Sequence, residues 1–169
     1  MSTITRQIDR VLAAQYGREA VEMGECGHYW APSGQNVDIQ ALLSSAIEGT
    51  VSYPPNVPVS ETISGQHDTI IEVMNETTLS AGNRLMELGC HPVLLNFASD
   101  TNPGGGFLNG ARAQEEYLAR SSCLYACIRS NPMYPFHRAN YDPLYTDYLI
   151  YSPGVPVSRE SKKGTFFLN

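Results

Sequence analysis

Pro103 is followed by three consecutive glycines, Gly104 to Gly106, and a seven-residue spacer later the chain places Gln114, Glu115 and Glu116 in succession. The full stretch reads NFASDTNPGGGFLNGARAQEEYL, Asn96 to Leu118. No other segment restricts the fold as much. A linker has no use for the flanking apolar residues, and a buried core has no use for the paired carboxylates. Pro103 fixes one backbone angle, and the glycines free the next three residues for positive φ and for close approach of a ligand to the backbone. Upstream, HPVLLNFAS carries a continuous apolar run, Val93 to Leu95, as expected of a central strand covered on both faces. Downstream, Ala113 to Ile128 has helical composition and spacing.

The rest of the chain supplies partners for such a unit. Ile4, Ile8, Val11 and Leu12 give helical apolar spacing over Thr5 to about Val21. Tyr29–Ala31 and Asn36–Ile39 read as a strand and its return around a Pro-Ser-Gly turn. Ile39–Ile47 predicts a short helix stopped by Gly49. Residues 50–68, rich in Pro, Ser and Gly, read as strand ends and loop, and TIIEVMN (69–75) as a strand. Thr77 or Thr78 can cap a helix running to Leu88, with Gly89 at its end. DYLIYSPGVPV predicts a further strand with a turn. Alternation of this kind means an α/β fold with a mixed or parallel sheet, in which ligands gather beyond the C-terminal strand ends, where the glycine loop lies.

A chain of 169 residues is the size of one domain, so a single domain over 1–169 is expected. Hydrophobic residues make up 42% and charged residues 17%, which argues against disorder. The net charge of −6 argues against a grip on a nucleic-acid backbone, so no direct DNA binding is expected. The basic pair Lys162-Lys163 reads as solvated surface. No apolar run has membrane-spanning length and the N-terminal residues lack a secretory pattern, so the expected location is cytoplasmic, with no membrane partner. The four cysteines, Cys26, Cys90, Cys123 and Cys127, read as free thiols. Cys26 with His28 and Cys90 with His91 carry zinc-donor types, but ordinary thiols and histidines explain them more simply. No metal or cofactor is expected.

A glycine loop that runs toward a helix N-terminus offers a concave set of N–H groups, which binds phosphate without basic side chains. Arg112 is the only basic residue in the stretch, so backbone amides would supply most of the attraction. The alternative is a mobile surface loop without a ligand. The pattern is neither a Walker A loop nor GxGxxG. Glu115 and Glu116 fall in the first helical turn, where acidic residues commonly stabilise the helix dipole. Adjacent helical residues point about 100° apart, so the two cannot face each other across one glycosidic bond. If both act on a ligand their tasks differ: one can accept hydrogen bonds from sugar hydroxyls, the other can move a proton at the bond being cleaved. The helix N-terminus tends to lower a carboxyl pKa, so a proton donor there needs burial or a negatively charged ligand.

The stretch NFASDTNPGGGFLNGARAQEE resembles the signature of the microbial-type poly(ADP-ribose) glycohydrolases, GGG followed at short spacing by QEE. RSSCLYACIRSNPMYPFHRANYDPLYTDYLIYSPGVPV resembles the family's continuation, and the likeness runs from about residue 5 to 158. The resemblance implies a macrodomain-like fold, a mixed β-sheet flanked by helices with an ADP-ribose cleft over the strand ends. It implies hydrolysis of the ribose–ribose O-glycosidic bond of poly(ADP-ribose), with poly(ADP-ribose) or ADP-ribose as the partner. By motif, Glu116 would protonate the leaving ribose oxygen and then activate water, and Glu115 would hold ribose hydroxyls. Gln114 would line the same pocket, and Gly104, Gly105 and Gly106 would lie against the diphosphate and distal ribose.

Two departures from the family pattern matter. The position after Phe97-Ala98 is Ser99 where many macrodomains have Asn, so Asn102 is the expected replacement ribose contact, with Ser99 and Asn96 behind it. The chain also stops soon after IYSPGVPV, where the family usually continues with further strands, a second phosphate loop and an aromatic residue near the terminal ribose. An open strand edge favours association, so a homo-oligomer is a further expectation. Two other readings stand beside the enzyme: an ADP-ribose-binding module with little or no turnover, and a nucleotide-binding α/β domain of another kind. Tyr134, Tyr141, Tyr145, Tyr148 and Tyr151 read as half-buried packing residues, any of which could stack on adenine. Trp30 reads as a core or strand anchor, and His137 and Arg138 as part of a solvated loop.

Overall fold

The computed structural model describes residues 8–58, 68–140, 142, 144 and 146–158, together with the backbone of 166–167. Helix α1 (Arg10–Cys26) starts where the Asp9 side chain accepts from Leu12 N at 2.9 Å and ends at Gly27, which takes the left-handed conformation. It thus begins and ends later than the apolar spacing predicts. Its inner face carries the small residues Ala13, Gly17 and Ala20, followed by Met23, while Val11 is exposed. Small side chains admit a close neighbour: a Cβ on Gly17 would lie 3.0 Å from both the ring and the carbonyl of Phe107. Phe107 is thereby seated on α1, and the glycine loop is held from below.

Strands β1 (His28–Trp30) and β2 (Asn36–Asp38) form the expected hairpin, with Tyr29 opposite Val37. Trp30, expected as an anchor, is exposed: its place on this short two-stranded ribbon leaves its side facing solvent. Helix α2 (Gln40–Glu48) follows and packs Leu43 and Ala46 inward. Strand β3 (Val51–Tyr53) pairs antiparallel with β4 (Leu149–Tyr151). Helix α3 (Thr78–Glu87) has Thr77 as its cap, the hydroxyl accepting from Ser80 N at 3.1 Å.

Ala113 to Ile128 is two helices rather than one, α4 (Gln114–Ser121) and α5 (Leu124–Ile128). Ser122 is extended and bridges Val157, and its hydroxyl donates back to Leu118 O at 2.8 Å. Cys123 N donates to Pro156 O, and Ser158 N to Ser121 O, both at 2.9 Å. Strand β5 (Pro156–Val157) therefore inserts its main chain at the break. It pairs with β6 (Phe166–Phe167) on its other side. Helix α6 (Met133–Ala139) completes the set. Lys162 and Lys163 lie outside the described residues, as do Tyr141 and Tyr145.

The main core joins Met23, Ile39, Leu43, Cys127, Ile128 and Tyr134, and a smaller one joins Leu79, Leu118 and Val157. The architecture is mixed α/β with small antiparallel sheets. Two expected strands have no sheet partner among the described residues. Over 69–75, Ile70, Ile71, Val73 and Met74 are exposed. Over 91–99, the side chains alternate as in an extended chain. Leu94 packs on the smaller core, while Val93, Leu95 and Phe97 are 75%, 65% and 72% exposed. The apolar run is thus covered on one face rather than two.

Candidate active site

The site is built where 91–99, the glycine loop and the N-terminus of α4 converge. Gln114 opens α4, and its side chain lies along the backbone of the preceding segment. Nε2 donates to Leu95 O at 2.6 Å and Oε1 accepts from Phe97 N at 2.9 Å. Carbonyl and N–H two residues apart on one edge are what a neighbouring strand would engage. Nε2 also donates to Thr78 Oγ1 at 3.3 Å, which ties α3 to the same point.

Glu115 is buried, only 5% exposed. Its Oε2 accepts from Ser99 N at 2.7 Å and its Oε1 from Gly104 N at 3.1 Å. The Asn96 side chain also hydrogen-bonds it. Burial raises the carboxyl above its usual range. The neighbouring Glu116 charge adds to this rise, and the hydrogen bonds from Ser99, Gly104 and Asn96 oppose it. Glu116 presents one anchored and one free oxygen. Oε1 accepts from Gly106 N at 2.9 Å, whereas Oε2 is buried with no hydrogen-bond partner among the described residues. Asn96 Oδ1 and the Tyr134 hydroxyl are likewise buried without a partner among the described residues.

The glycine amides are not displayed as a free concave array. Gly104 N binds Glu115, Gly105 N binds Asn102 O at 2.9 Å, and Gly106 N binds Glu116. The carboxylates at the start of α4, ten and eleven residues further along the chain, are better acceptors than water for N–H groups that are partly buried. The glycines let the loop close directly against the carboxylates, with no room for a side chain between them. Gly104 and Gly105 have φ of 72° and 60°, and a Cβ on Gly105 would strike Glu116 Oε1.

Ser99 and Asn102 belong to the same turn. Ser99 Oγ accepts from Asn102 N at 3.1 Å and Thr101 N at 3.4 Å, and Asn102 Nδ2 donates to Thr101 Oγ1 at 3.3 Å. The structure thus brings together Ser99, Asn102, Gly104, Gly105, Gly106, Gln114, Glu115 and Glu116 in one hydrogen-bonded unit.

Sequence reasoning missed the support beneath it. His137 and Arg138 are on α6, not in a solvated loop, and His137 is buried. His137 meets Asp100 O, and Arg138 donates to Thr101 O at 2.6 Å. Tyr134, one turn earlier, is 1% exposed, too enclosed to stack on adenine, and Tyr148 packs against Phe136 and His137. The i, i+3 spacing of Tyr134 and His137 was the available signal. Arg120, four residues beyond Glu116, is buried; it donates to Ala111 O at 3.2 Å and lies over the Tyr117 ring.

Cys26 and Cys90 are exposed, and among the described residues no group of three or more His, Cys, Asp or Glu could hold a metal ion. A cleft of about 440 Å³ bordered by Glu19, Met23, His28 and Trp30 shares no residue with this unit. No helix among the described residues is long and apolar enough to cross a membrane.

A comparison with family models matches residues 17–160 to the microbial-type PARG catalytic domain. No curated protein sequence matches the chain. Among solved structures, poly(ADP-ribose) glycohydrolase from Thermomonospora curvata is 43% identical with a TM-score of 0.83, covering 94% of this chain and 62% of that one. The same protein bound to the inhibitor ADP-HPD is 43% identical with a TM-score of 0.82, over 94% of this chain and 60% of that chain. Poly(ADP-ribose) glycohydrolase from Deinococcus radiodurans in complex with ADP-ribose is 40% identical with a TM-score of 0.64, over 74% of this chain and 53% of that one. The present chain therefore spans about three-fifths of the Thermomonospora protein. A family match over most of the sequence, joined to this fold, places the chain in the microbial-type poly(ADP-ribose) glycohydrolase family, with its macrodomain-like α/β fold.

Proposed function

We propose that this protein hydrolyses the ribose–ribose O-glycosidic bond of poly(ADP-ribose) and releases ADP-ribose. The observation that carries the reading is the asymmetry of Glu116, whose Oε1 is fixed by Gly106 N while Oε2 has no partner among the described residues. One oxygen sets the position of the carboxyl group and the other is available to exchange a proton. Glu116, protonated, gives its proton to the leaving ribose oxygen as the bond to the anomeric carbon breaks. The carboxylate then takes a proton from the water whose oxygen adds to that carbon, and the enzyme returns to its starting state. The substrate's own diphosphate stabilises the positive charge that develops on the sugar. Glu115 orients the ribose hydroxyls, Asn102 and Ser99 border the sugar, and Gly104, Gly105 and Gly106 let the ligand approach the main chain. Gln114 holds the wall of the pocket. No metal takes part in this scheme.

The test is release of ADP-ribose from purified poly(ADP-ribose), read by chromatography, with Glu116→Gln alongside. Loss of general acid–base catalysis costs on the order of 10²- to 10⁴-fold in turnover. The expected result is that size of loss with ADP-ribose affinity largely kept. Full turnover in the variant would overturn the assignment.

A binding module with little turnover is the second reading. ADP-ribose binding without release by the wild type would select it. Our reading also takes residues 1–169 as a single domain in the cytoplasm, with no DNA or membrane partner. The exposed stripe of Val93, Leu95 and Phe97 supports self-association into a homo-oligomer.

A further inference from the structure

We propose that His137 and Arg138 are positioning residues, a two-point clamp on the loop Ser99–Gly104 that sets where Glu115 and Asn102 stand. The inference rests on the hydrolase reading for its catalytic consequence, but its physical basis is separate. Asp100 O can only accept, so the His137 ring nitrogen facing it, Nδ1 at 3.2 Å, carries the proton. In the neutral ring Nε2 then accepts the Thr146 hydroxyl at 2.7 Å. The imidazole is buried between these two partners, with the Phe136 and Tyr148 rings beside it. One residue on, Arg138 NH1 donates to Thr101 O at 2.6 Å. Two successive carbonyls of the loop are thus captured by two successive residues of α6.

A peptide unit is planar and trans, so its C=O and the next N–H point in opposite directions. Fixing Asp100 O on His137 therefore aims Thr101 N the other way, onto Ser99 Oγ. Fixing Thr101 O on Arg138 aims Asn102 N onto the same hydroxyl. With both N–H groups on Ser99 Oγ, Ser99 is held so that its own N–H meets Glu115 Oε2. Gly104 N closes the far end of the loop on Glu115 Oε1. The carboxylate thus grips the ends of the loop while α6 grips its middle. Neither His137 nor Arg138 needs to touch a ligand for this.

Amide hydrogen exchange on the intact chain reads the clamp directly, whatever the activity. A hydrogen bond contributes roughly a five- to tenfold factor to a local equilibrium. His137→Ala should speed exchange across residues 99–104 by about that factor while α1 is unchanged, and His137→Gln, with one donor and one acceptor, should restore most of the protection. Arg138→Met, at an exposed position that does not threaten folding, should loosen the same loop through the next peptide unit. In the release assay His137→Ala should lower kcat about tenfold with KM changed less than threefold, and the Gln variant should recover it. Unchanged exchange in 99–104 in both His137→Ala and Arg138→Met would overturn the clamp. Equal acceleration in α1 and the loop, or a Gln variant no better than Ala, would also overturn it. Absence of turnover in the wild type would count against the hydrolase reading alone, because the exchange result stands by itself.

Discussion

Gly105 and Glu116 compete for the same space: a Cβ on Gly105 would collide with Glu116 Oε1 and lie 2.9 Å from Glu115 Oε2. The positive φ of Gly105 adds a backbone cost for any L side chain. Gly105→Ala should therefore displace both carboxylates at once. We expect a stability loss of about 1–3 kcal/mol from the strained conformation. Turnover should fall by about 10²-fold, the penalty for a displacement near 1 Å. Chemical denaturation and the ADP-ribose release assay check the two halves, and an Ala variant with wild-type turnover would show that the contact does not matter.

Gln114 is engaged by main chain at both ends of its amide, with Leu95 O and Phe97 N. A carboxylate can accept from Phe97 N but cannot donate to Leu95 O. Gln114→Glu should thus be nearly as damaging as Gln114→Leu, each costing about 1–2 kcal/mol. Denaturation midpoints of the two variants decide the matter. If the Glu variant matched the wild type, the donor half of the contact would be shown to carry nothing.

The raised carboxyl of Glu115 gives stability a pH signature. A group that holds its proton more tightly in the folded chain than in the unfolded one stabilises fully below the unfolded value, about 4.3 for Glu. That contribution is lost as pH rises through the raised folded value. Between neutral pH and about pH 4, the wild type should gain unfolding free energy relative to Glu115→Gln. A difference that stays flat, or moves the other way, would contradict the burial argument.

Val93, Leu95 and Phe97 form an exposed apolar stripe on a segment with no sheet partner among the described residues. Leu95→Lys should reduce self-association in sedimentation velocity. Because the side chain is already mostly in solvent, unfolding free energy should move by no more than about 0.5 kcal/mol. A large destabilisation would mean that this face is covered within the folded chain.

What could be read from the sequence was what local chemistry encodes. Thr77 as a cap, the hairpin around Pro32-Ser33-Gly34 and the placement of Glu115 and Glu116 in a first helical turn follow from neighbours in the chain. The break at Ser122 did not show, because it is imposed by β5, which arrives from Pro156 and Val157. The destination of the glycine amides was hidden for a related reason. A GGG run offers N–H groups, but only the fold shows that Glu115, Glu116 and Asn102 accept them. The contact from His137 to Asp100 spans 37 residues and has no pattern of its own.

The loop's N–H groups are already satisfied by the protein before any nucleotide arrives. A ligand entering such a site need not freeze the chain that receives it. Calorimetry of ADP-ribose capture should accordingly show little entropic penalty from the polypeptide, and the association rate should be governed by encounter rather than by a slow rearrangement.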